Sequence, residues 1–103
     1  GMDDFTMRLT NQGKKFIKNL TADNKYHLLR FYAVADRNGM KFAADIDTPI
    51  HTDIIMEIEG IHVALSPKLL PVLKDKIIHS ETVNGVTGIV VLDEKHTHLI
   101  RSN

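Results

Sequence analysis

The 103-residue chain has no cysteine and no tryptophan, and neither sign of charge is in excess. The missing thiols exclude disulfides, cysteine nucleophiles, thiolate zinc sites and cysteine-ligated iron–sulfur clusters. The 13 Lys and Arg residues balance 13 Asp and Glu, and the pI is near 7.2. Such a chain has no net field to draw nucleic acid or an anionic membrane, and no basic stripe is interleaved with aromatics. No apolar run approaches the roughly 20 residues that a membrane helix needs. The start, Gly1-Met2-Asp3-Asp4, is acidic where a signal peptide is basic, and Gly1 before Met2 reads as a cleavage scar. A cytoplasmic protein with neither nucleic acid nor membrane as partner is expected. Phosphate loop, dinucleotide fingerprint, nucleophile elbow and His-Glu-x-x-His are all missing, which argues against an enzyme and against a common cofactor.

What the chain does have is a globular composition, 43% hydrophobic and 25% charged, in one domain's length. We read residues 1–103 as a single domain with a polar tail over 93–103. Thr10 is placed to cap a helix over about residues 10–21, with Phe16, Ile17 and Leu20 on one face and Gly13 weakening its first turn. Leu28 to Ala35 and Met40 to Ile46 flank Asn38-Gly39, a hairpin signal. Centring the turn there sets Asp36 opposite Lys41 and Arg30 opposite Asp47, with Phe31, Ala33 and Ala35 on the face of Phe42, Ala44 and Ile46. Ile54, Met56 and Ile58 alternate up to Glu59-Gly60, and Ile61, Val63 and Leu65 continue that face, setting Glu57 opposite His62.

Ser66-Pro67 starts a helix that Pro71 keeps short or partly 3-10. Ile77 to Val83 and Val86 to Leu92 flank Asn84-Gly85, and Ile89-Val90-Val91-Leu92 is apolar enough for a central strand. The expected fold is α+β: a small mixed, mostly antiparallel sheet of about six strands, an N-terminal helix and a short second helix.

Chemistry-bearing groups are few. His96-Thr97-His98 in extended conformation puts two imidazoles on one side, where they can share a metal with Asp93 or Glu94 as an acidic third ligand. The plainer alternative is a solvated tail. Glu57 and His62 have the makings of an acid/base couple, or of an ordinary exposed cross-strand pair. An enzyme using them needs an enclosed pocket around the pair. Asp45, Asp47, Asp53 and His51 form an acidic stretch fit for a hard cation, though Pro49 marks it as a loop. His27 and His79 read as structural, and one tyrosine, Tyr32, is not by itself a partner surface.

The order of elements resembles the HesB-like family, the A-type iron–sulfur cluster biogenesis domain. The resemblance rests on a helix opened by Thr10, then Leu29-Arg30-Phe31, Phe42-Ala43-Ala44-Asp45, Met56 through Val63, Ser66-Pro67-Lys68-Leu69-Leu70, and Ile78 leading to Gly88-Ile89, covering residues 8 to 92. It implies a role in iron or iron–sulfur handling and a glycine-containing stretch before the last strand, looser than a two-residue turn at Asn84-Gly85. The departures fall where the family places its ligands. Its first cysteine corresponds to Asp36-Arg37-Asn38-Gly39, and its terminal Cys-x-Cys falls near His96-Thr97-His98. The expectation is therefore a non-catalytic, cysteine-less HesB-like domain whose candidate metal ligands, for iron or another divalent ion, are His96 and His98 with an acidic third ligand. The alternative is an interaction module that binds a protein partner or forms a homodimer, with Tyr32 or Met40 in the interface.

Overall fold

A computed structural model of the chain describes residues 5–93. Thr10 is extended, and its hydroxyl accepts the Gly13 N–H at 3.0 Å, capping helix α1 (Asn11–Thr21). The buried face of α1 carries Gly13 and Ile17, whereas Leu20 is 46% exposed, so the expected Phe16–Ile17–Leu20 face is rotated. Close packing on strand β6 (Ile77–Val83) is the cause. A Cβ on Gly13 would stand 2.9 Å from the Ile78 carbonyl oxygen and 3.2 Å from His79 Cα. The glycine that costs an isolated helix about 1 kcal/mol is what lets helix and strand touch here.

Strands β2 (Leu28–Asp36) and β3 (Gly39–Asp47) form the first hairpin, with a register that corrects the expectation. Arg30 lies opposite Asp45, and Asp36 opposite Gly39. The Asp36 carboxylate accepts the Asn38 N–H at 2.7 Å, and Gly39 takes φ 115°, so the two-residue loop is Arg37-Asn38. Pairing moves by two residues, an even number, and each side chain keeps its face: Phe31 is opposite Ala44, and Ala33 opposite Phe42.

Strands β4 (Ile54–Ile58) and β5 (Ile61–Leu65) pair as expected across Glu59 and Gly60, at φ 50° and 86°. Strand β5 also runs parallel to β2, with Leu29 beside Val63 and Phe31 beside Leu65. The resulting sheet has the order β3-β2-β5-β4. Pro67–Leu69 is a 3-10 turn and Leu70–Leu73 a single α turn, α2, in keeping with Pro71.

The second sheet has the order β1-β6-β7, where β1 is Arg8–Leu9 and β7 is Val86–Leu92. Asn84 and Gly85, at φ 52° and 79°, form a tight two-residue turn with Val83 opposite Val86. That settles the register in favour of the tight turn over the looser family stretch. Strand β1 pairs parallel with β6 and takes its free side, making β6 the middle strand. The Ile89–Leu92 run therefore belongs to an edge strand and is half-buried, which corrects its reading as central. The α+β class stands, with seven strands in two sheets among the described residues where about six in one sheet are expected.

One apolar core serves both sheets. Phe31, Leu29, Val63 and Leu65 from the first, Ile78 from the second, Ile17 from α1 and Leu69 and Leu73 from the segment between are almost completely buried. Among the described residues no helix is long and apolar enough to cross a membrane.

Candidate functional site

The Asp36–Gly39 turn is exposed, and its carboxylate is already engaged. Asp36 pairs with Lys41 at 3.0 Å besides accepting from Asn38. Arg37 adds a positive charge where a cationic metal would need donors. His96, His98 and Glu94 lie outside the described residues. Asp93 is described, and its carboxylate is held by the Lys76 ammonium. Among the described residues no three His, Asp or Glu side chains gather as a metal site. A cluster does not fit this donor set, because thiolate charge is what holds and neutralises the irons.

Glu57 and His62 do meet across β4 and β5, with Oε2 and Nε2 3.6 Å apart and the side chains 62% and 60% exposed. They border different depressions. Glu57 edges a groove with Phe5, Met7 and Met56, and His62 edges a cleft beside α1. The pair stands on an open surface without the enclosure that acid/base work on a substrate requires.

The acidic stretch is dispersed by its own hydrogen bonds. Asp45 and Asp47 accept the N–H of Ile46 and Thr48, at 2.9 and 2.7 Å. Asp53 turns inward to Arg30, with Arg30 Nε at 2.6 Å from Oδ2 and Nη2 at 3.3 Å from Oδ1, and also accepts the Ile50 N–H at 3.1 Å. The Asp53 carboxyl group is almost wholly shielded from solvent, and its bond holds the Arg30 guanidinium above its already high pKa. A cation at Asp53 would have to displace that guanidinium. Tyr32, half-buried, lies with its ring 5.3 Å from the Arg30 guanidinium carbon. His79 Nδ1 is 2.7 Å from Thr10 Oγ1, which ties β6 to the cap of α1.

The long-range contacts of Arg30 and Glu59 are among those that sequence pattern does not show. Arg30 and Asp53 are 23 residues apart, and only the Pro49 loop hinted that the chain turns back there. Glu59 lies in the β4–β5 turn, and its carboxylate reaches the other sheet. Oε2 accepts the Leu9 N–H at 2.7 Å and Oε1 pairs with Lys14 at 3.4 Å.

No known family profile matches the chain, and neither does any curated protein sequence. Solved structures do. SufA of Escherichia coli, described as involved in the biosynthesis of iron–sulfur clusters, superposes with TM-score 0.67 at 14% identity over 87% of each chain. IscA, solved with a 2Fe–2S cluster, gives TM-score 0.63 at 14% identity over 86% of each chain. The fold is HesB/IscA-like. A protein from Aquifex aeolicus, solved by solution NMR, gives TM-score 0.62 at 19% identity over 87% of this chain and 93% of its own. The resemblance read from the order of elements is thus a likeness of fold, on a chain with no cysteine.

The Leu9 N–H, and after it Lys14, hold the Glu59 carboxyl below the usual glutamate range. A lowered pKa in the folded state adds stability above the unfolded value and loses it as pH falls through the folded one. Urea denaturation of the wild type and Glu59→Gln is expected to show its largest difference at neutral pH. That difference shrinks as pH falls from the ordinary glutamate value through the lower folded one. The charge contribution is modest, because solvent reaches this side chain.

Proposed function

We propose that this chain is a non-catalytic cytoplasmic protein of iron or iron–sulfur handling that keeps the HesB/IscA-like fold without holding a cluster on thiolates. The observation that carries this reading is the likeness in fold to SufA and to cluster-bearing IscA in a chain without cysteine. Any metal the protein retains is held by His96 and His98 with Asp93 or Glu94 as third ligand, and is a single iron or another borderline divalent ion. Use of Asp93 requires release from Lys76. Elemental analysis of anaerobically purified protein without a histidine tag tests the reading. It predicts no acid-labile sulfide, and loss of any bound divalent metal in the His96→Ala/His98→Ala variant. Stoichiometric sulfide contradicts it.

The outer part of the β6–β7 hairpin favours a second reading, an interaction module that associates with itself. Residues 81–88 are all exposed, and the paired Val83 and Val86 are 60% and 72% exposed. The edge strand β7 carries no charge, so antiparallel pairing with its own copy meets no like-charge repulsion. Met40 is exposed at the other hairpin's end, whereas Tyr32 is occupied by Arg30. Light scattering is expected to give a dimer that chelator leaves intact and Val86→Lys dissociates. A monomer at every concentration removes this reading.

A further inference from the structure

A cleft of about 230 Å³ lies where the last turn of α1, the segment leading into β2 and the start of β5 meet. Ile17, Leu28 and Ile61 supply its apolar wall, and Lys18, Lys25, His27 and His62 its ionisable groups. Every ionisable side chain that lines it is basic. Among the described residues the one carboxylate touching this set is Glu57, 3.6 Å from His62 and bordering the other depression.

The state of these basic groups sets them apart from the paired cations elsewhere in the molecule. Lys14, Arg30, Lys41 and Lys76 each have a carboxylate partner. Among the described residues Lys18 and the His27 ring make no hydrogen bond or ion pair, and the Lys25 ammonium has only the Tyr26 ring, 5.3 Å from its centroid. Three nitrogen donors thus line one concave space without a counter-charge. Among the described residues Arg8, Lys15, Arg37, Lys68 and Lys74 also lack a carboxylate partner, but none of them lines this space, whereas Lys18, Lys25 and His27 converge on it.

We propose that this cleft binds a small molecule through a phosphate or pyrophosphate group, with the apolar wall against the rest of the ligand. The donor type selects the chemistry. Three donors without a carboxylate partner around one space favour a multiply charged anion over a singly charged carboxylate. Ammonium and imidazole groups act as separate point donors, which suits a tetrahedral, multiply charged oxyanion. The cleft's volume suits a compact metabolite.

The test is a titration of the full-length, isotope-labelled chain with sodium pyrophosphate, followed by amide chemical shifts, with acetate at matched ionic strength as comparison. The expected shifts are confined to residues 17–28 and 60–62, with Kd on the order of millimolar or tighter. The Lys18→Ala/Lys25→Ala variant is expected to weaken binding about tenfold or more, and Lys68→Ala, on an exposed side chain away from the cleft, to leave it unchanged. Absence of shifts, shifts spread over all surface lysines, insensitivity to the double variant, or equal binding of acetate would each overturn the assignment.

Discussion

Two sheets that share no hydrogen-bonded ladder among the described residues must bury one apolar core between them, and the rest of the structure follows from that constraint. Leu29, Phe31, Val63 and Leu65 come from neighbouring parallel strands of one sheet, and Ile78 from the middle strand of the other. Each such side chain contributes about 2 kcal/mol when removed from water. Helix α1 completes the core only because Gly13 lets it lie against β6. The polar ties reinforce the same junction: Glu59 reaches from the β4–β5 turn to the β1 backbone, and His79 meets the Thr10 cap.

Local features were the legible ones. Thr10, Glu59-Gly60, Asn84-Gly85 and the two prolines around Leu69 state their structure through side-chain hydrogen bonding or backbone freedom, and each acts as its residue type dictates. The β2–β3 turn slipped by one residue because the Asp36 side chain competes for the Asn38 N–H, a local bond that the Asn-Gly signal ignores. Tertiary facts were not legible. Strand β1 has two residues and no period, so its pairing with β6, and with it the placing of β7 at an edge, could not be read from pattern. The rotation of α1 likewise depends on a contact with a strand more than 60 residues away.

The candidate chemistry divides in the same manner. Glu57 and His62 were correctly paired because a two-residue turn fixes their register, yet that pairing leaves them on an open face. Asp53 looked like one member of an acidic loop and is instead the counter-ion of Arg30 within the fold. Unpaired cations in a concave place, by contrast, are invisible to composition, since a balanced total charge says nothing of which charges find partners. Lys18, Lys25 and His27 stand out because they converge on one concave space, which no count of charges reveals.

The likeness to SufA and IscA gives the missing cysteines their weight, because the architecture is one in which a solved relative of the fold carries a 2Fe–2S cluster. This chain has no thiolate, and two imidazoles without thiolate charge are a poor substitute for such ligands. Anaerobic incubation of the untagged protein with ferrous iron and sulfide, followed by desalting and visible absorption, is the most direct measurement. The account predicts a spectrum without sulfide-to-iron charge-transfer bands. A stable, coloured, stoichiometric cluster would contradict it.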